Sequence, residues 1–118
     1  MALGPKLQLR PGMTLAIVGL ARDAPTIDAP QDAESAADAM LLYAHHRADL
    51  ERGVPTLVAA AGRGAVTWIA YPKAKQLGTD LNRDVIRTVV QANGLDTVRQ
   101  VALDDTWSAL RLVSRIDR

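Results

Sequence analysis

Three apolar runs, the last interrupted only by Thr67, organise the first two thirds of the chain, at residues 15–20, 39–44 and 65–71. Each is too short for a core helix. Apolar character without alternation is what a strand buried on both faces of a sheet shows. The first run follows the turn signal Pro11-Gly12. Residues 45–62 change period: Leu50, Val54, Leu57, Val58 and Ala61 fall on one helical face, and Arg47, Asp49, Glu51 and Arg52 fall off it. Pro55 is expected to kink or restart that helix, because a mid-helix proline loses one hydrogen bond and clashes, at about 3 kcal/mol. Gly62 and Gly64 close it. Leu81, Val85, Ile86, Val89 and Val90 form a second helical stripe, with Thr79 or Asp80 as its cap and Asn93-Gly94 as its stop; Gly94 suits the left-handed position there. Residues 98–103 and 107–113 then predict two strands joined by Asp104, Asp105 and Thr106, hence an antiparallel hairpin. The Ala-, Asp- and Pro-rich stretch between the first two runs predicts a short helix near residues 30–37, with Pro30 in its first turn.

Strand, crossover, strand, helix, strand, helix and hairpin make an α/β protein. The expectation is a small three-layer Rossmann-like sheet of about five strands, mostly parallel and ending in an antiparallel hairpin. The length of 118 residues predicts one domain over 1–118.

Composition narrows the chemistry. Without cysteine there are no disulfides, thiolate metal ligands or thiol nucleophiles. A net charge of +1 and only four aromatic rings, Tyr43, Trp68, Tyr71 and Trp107, argue against a nucleic-acid partner. The apolar run near the start is too short to span a bilayer and is badly placed for a signal peptide, so the reading is no membrane and a cytoplasmic protein.

The most suggestive stretch is YPKAKQLGTDLNRD, residues 71–84. In an open parallel sheet, ligands sit beyond the carboxyl ends of the strands, and this loop leaves such an end. Lys73, Lys75 and Arg83 could surround a phosphate or carboxylate, beside a helix start capped by Thr79 or Asp80. The plainer reading is a turn with solvated lysines, in which Asp80 competes with any bound anion. His45 and His46 end the second run; one could act as a base, but adjacent histidines in an extended chain are expected to point to opposite faces, and a metal is not expected. Asp104 and Asp105 pair two carboxylates beside Trp107, a pattern of acid–base sites and equally of turns. Trp107 is expected to cover the core edge. Arg111 interrupts an apolar strand and needs a partner, for which Asp84, Asp104 and Asp105 are candidates.

The turn at Gly62-Arg63-Gly64, the strand AVTWIAYP, a helix, and GLDTVRQVALDDTWSALRLV together resemble the second half of a class I S-adenosylmethionine-dependent methyltransferase, over residues 38–113. WIAYPK, TDLNRDV and DDTWSALRLV are also similar to a family of small uncharacterised bacterial proteins with a reduced form of that fold. This resemblance implies a fold and leaves the activity open. The methyltransferase pattern puts an acidic-Gly-x-Gly-x-Gly turn after its first strand, whereas this chain has VGLARDAP with the single Gly19. Three functions follow. The first is a non-catalytic Rossmann-like module of unknown function, without cofactor, that pairs with itself as a homodimer or with another protein chain. The second is a small anion- or nucleotide-binding protein using loop 72–84. The third is a methyltransferase-like enzyme.

Overall fold

The computed structural model describes residues 5–19, 27, 29–33, 36–73 and 76–115. Five strands form one sheet: β1 Leu15–Val18, β2 Ala39–Tyr43, β3 Val66–Pro72, β4 Leu95–Ala102 and β5 Trp107–Ser114. Two helices accompany them, α1 Arg47–Gly62 and α2 Arg83–Gln91. The strand order is β1-β2-β3-β5-β4. β1, β2 and β3 pair in parallel, and β5 runs antiparallel to both β3 and β4. The protein is therefore mixed α/β, parallel at its start, and its last strand lies inside the sheet.

The apolar runs become β1, β2 and β3, and β2 is buried at every position. β4 starts at Leu95, before the expected Val98, because Leu95 is itself buried in the helix-covered core. A register shift between Thr97 and Arg99 leaves Val98 as a bulge. α1 runs unbroken through Pro55, which is exposed, so the proline costs a hydrogen bond on the water side and not in the core. Gly53, two residues earlier, is the tight point: a Cβ there would lie 2.5 Å from Leu42 Cδ2. Gly94 takes the left-handed conformation expected of it, with φ +83°. Of the short helix expected over 30–37, residues 34–35 lie outside the described residues. Gln31 forms an isolated bridge to Leu15, so the start of that stretch is extended.

The two faces of the sheet are covered differently. Leu50, Leu57, Ile86 and Val90 from the helices pack with Leu42, Ile69, Tyr71, Leu110 and Leu112. On the opposite face Leu41, Trp68, Ala70, Trp107 and Ala109 pack against Leu7, with Leu9 and Met13 beside it. Among the described residues this second cover is irregular chain, where a three-layer arrangement would place helices. It is anchored by hydrogen bonds: Trp68 Nε1 donates to the Leu7 carbonyl at 2.9 Å and Lys6 Nζ to the Ala102 carbonyl at 2.9 Å.

Arg111 belongs to that second cover. Its side chain donates to Gln8 Oε1, and not to Asp84, Asp104 or Asp105. Strand parity explains the change: Arg111 stands opposite Trp68 and so emerges on the face where residues 5–13 lie. Burial pushes the guanidinium below its ordinary range.

Among the described residues, no helix is long and apolar enough to cross a membrane.

Candidate functional site

Loop 73–80 is tied on both sides. Toward the β4–β5 hairpin, the Lys73 amide donates to the Thr106 carbonyl at 2.7 Å, Lys73 Nζ to the Asp104 carbonyl, and Gln76 Nε2 to the Asp105 carbonyl at 3.0 Å. Toward α1, His45 Nε2 meets the Leu77 carbonyl, and the Thr79 hydroxyl donates to the His45 carbonyl while accepting from the Leu81 amide at 3.0 Å. The chain turns through Leu77 at φ 55° and Gly78 at φ 70°. These bonds make the middle of the loop a strap. Lys75 lies outside the described residues.

The expected cap of α2 is corrected. Asn82 caps α2, its side chain accepting from the Val85 amide at 2.8 Å. Thr79 and Asp80 serve α1 instead: Asp80 Oδ1 accepts from the Arg47 amide at 2.7 Å, a cap delivered from 33 residues away. Asp49 fills the rest of that helix start, accepting from the amides of His46 at 2.9 Å and His45 at 3.2 Å. The His46 amide bond, joined by that of His45 and by the Arg52 charge, holds the Asp49 carboxyl below its ordinary range against the opposing effect of burial. The first turn of α1 thus already holds two carboxylates, which leaves no reason for an exogenous anion there.

The histidines do not diverge. Their rings stack at 4.3 Å with planes 3° apart, because His46 is the N-cap of α1 and its side chain turns back toward the helix. Asp104 makes a turn, its Oδ1 accepting from the amides of Thr106 at 2.8 Å and Trp107 at 2.7 Å. Asp105 is exposed and contributes its carbonyl to Gln76. Trp107 is buried and meets Tyr43 edge-on at 5.3 Å, a core contact as expected. Burial, helped by the Asp104 charge, pushes the Tyr43 phenol up to about 12.

Lys73 and Arg83 do come together. They line an open cleft of about 750 Å³ with Tyr71, Asn82, Asp84, Gln100 and Ser108. It lies where β3 and β4 reach their carboxyl ends, beside the start of α2. Tyr71 and Ser108 are register partners on the helix side and are each only 4% exposed, so their polar atoms need partners. They find them in a small network: Gln100 Nε2 donates to the Tyr71 hydroxyl at 3.2 Å, Ser108 bonds the same hydroxyl, and Arg83 Nη1 reaches Gln100 Oε1 at 3.5 Å. Burial pushes the Tyr71 phenol up, while the Ser108 bond and the Arg83 charge restrain it. Tyr71, Gln100 and Ser108 were not among the sequence candidates. The signal was parity: Ser108 precedes Leu110 and Leu112 on the helix-facing side of β5.

Among the described residues no three acidic or histidine side chains converge on a metal-binding geometry. The cleft can offer two cations and a hydrogen-bonding floor, which suits recognition of a small anion more than bond making. No protein-family model matches the chain, and no curated protein matches it in sequence.

Proposed function

We propose that the protein is a small α/β binding module whose cleft takes a phosphate- or carboxylate-bearing ligand. The observation that carries this reading is the convergence of Lys73, Arg83, Gln100 and the Tyr71–Ser108 pair on one cleft. Its position at the carboxyl ends of β3 and β4 supports the reading, since open α/β sheets bind ligands there. Asp84 lines the cleft as well. The test is a titration with inorganic phosphate at low ionic strength, followed by amide NMR. Shifts clustered at residues 71–73, 82–84, 100 and 108 are expected, with at least tenfold weaker binding in a Lys73→Ala/Arg83→Ala variant. Shifts scattered over all surface cations, or none, reject the reading.

A reduced Rossmann-like relationship to the methyltransferase sheet is supported by the strand order, with the last strand inside and antiparallel. Methyl transfer is not supported by Gly19: a Cβ there would lie 2.4 Å from the Tyr43 carbonyl oxygen, so this glycine serves strand packing.

Self-association is the second reading, favoured by the outer edge of β1. Its pairing on that side involves Leu15, which bonds Pro30 and Asp32, while Ile17 is 40% exposed. Mass measured by light scattering tests it. A dimer that an Ile17→Lys variant dissociates supports pairing through β1, and a monomer at high concentration excludes it.

A further inference from the structure

We infer that Arg99 and Arg111 together hold a carboxylate supplied from outside the chain, on the sheet face opposite the helices. This site shares no residue with the cleft and does not depend on it. Arg111 stands opposite Trp68 on β3 and Arg99 on β4, so all three emerge on the face that residues 5–13 cover. Directly opposed residues have their Cβ atoms about 4.5–5.5 Å apart, and like charges placed so destabilise a sheet. Arg99 is exposed and Arg111 partly buried, so one cation meets water and the other is half withdrawn from it.

The described residues give this pair no countercharge. The ion pairs among them involve neither Arg99 nor Arg111. Asp96, opposite Val113 and so the nearest carboxylate along β4, is held by Gln91, the Thr97 amide and Arg87. Asp104 is held by the Thr106 and Trp107 amides at the hairpin turn. Arg111 donates only to the neutral Gln8 Oε1, and its buried Nε has no acceptor among the described residues. Gln8 itself takes the left-handed conformation at φ 62°, uncommon for a residue with a side chain. The cover thus accepts an unfavourable backbone where it meets the guanidinium, and still leaves the charge uncompensated. A carboxylate supplies what is lacking: one negative charge on two acceptor oxygens, in the plane that guanidinium forks recognise.

The probe is acetate, exchanged for chloride at constant ionic strength and read by NMR at the arginine Nε–H groups. Saturable shifts at Arg99 and Arg111 are expected, with a melting temperature that rises by roughly 1 °C through binding to the folded state. Arg99→Gln removes one cation from an exposed position. It should weaken acetate binding about fivefold and raise the melting temperature in chloride. Gln8→Glu places a carboxylate where Arg111 already finds its acceptor. That variant should melt higher than wild type and lose the response to acetate, because the chain then carries its own ligand. N-acetyl-Gly-Glu-Gly-amide, titrated beside acetate, identifies the source. Binding about tenfold tighter than acetate assigns the carboxylate to an acidic side chain of a partner protein, and equal affinity assigns it to a free acid. No saturable shift at Arg99 and Arg111, acetate binding unchanged in Arg99→Gln, or a Gln8→Glu variant that melts no higher than wild type each overturns the inference, and none of these outcomes touches the cleft.

Discussion

Replacing Asp80 decides whether loop 73–80 is a ligand loop or a strap. Its carboxylate accepts from the first amide of α1 at 2.7 Å, from a sequence distance of 33 residues. Losing a side-chain cap costs about 0.5–2 kcal/mol. The negative charge at the helix start is worth about 0.3–1 kcal/mol, and the exposure of Asp80 favours the lower part of both ranges. Asp80→Ala should therefore cost about 1–1.5 kcal/mol, and Asp80→Asn, which keeps an acceptor and loses the charge, about 0.5 kcal/mol. With an unfolding entropy of about 2.1 cal/mol/K per residue, 118 residues give about 0.25 kcal/mol per degree. The expected drops in melting temperature are then roughly 4–6 °C and roughly 2 °C, read by far-UV circular dichroism. Phosphate binding in the cleft should be unchanged in both variants. A melting temperature that rises in Asp80→Ala would mean that the carboxylate is stored strain of the kind found at binding sites, and would refute the strap.

Three other outcomes follow from the packing and the titrating groups. Gly53→Ala should destabilise by about 1–2 kcal/mol, since the clash with buried Leu42 outweighs the gain in helix propensity of about 1 kcal/mol, whereas Gly62→Ala, with open space around it, should be neutral or stabilising; equal Tm shifts would contradict this. Leu7→Ala should cost about 2–5 kcal/mol in urea unfolding, because this residue of the irregular cover is fully buried; a loss under 1 kcal/mol would mean that the cover is dispensable. Tyr43 keeps its proton more tightly folded than unfolded, so its contribution is complete below pH 10 and is lost as pH rises through about 12. That loss amounts to about 3 kcal/mol at about 1.36 kcal/mol per pH unit, and ultraviolet titration should show at least one of the two tyrosines still protonated at pH 11.

What the sequence disclosed and what it withheld have physical reasons. Buried strands are apolar at consecutive positions, so β1, β2 and β3 announce themselves, and a hairpin with a four-residue link is local, so β4 and β5 do too. α2 needed only its stripe and Gly94. Capping was ambiguous because Thr79, Asp80 and Asn82 are all good caps, and which one faces α2 depends on where α1 lies. The cover formed by residues 5–13 was invisible because an irregular segment has no period; only Leu7, Leu9 and Met13 hint at burial. Gln8 could not be chosen as the partner of Arg111, since a contact between residues 103 apart follows from strand parity and not from spacing. Of the candidate site, Lys73 and Arg83 were legible as cations beyond a strand end. Tyr71, Gln100 and Ser108 were not, because their convergence depends on the residue-by-residue register of β5 against β3 and β4.

That interior position of β5 also sets an order of assembly. As the chain emerges during synthesis, β3 presents a bare flank until residues 107–114 have been made. β4, made before β5, has no strand to dock on until then. β5 is the strand that joins β4 to β3, so of the five strands the one made last completes the sheet. The cleft between β3, β5 and α2 cannot exist earlier, so the binding proposed at Lys73 and Arg83 would report that β3, β5 and β4 have come together.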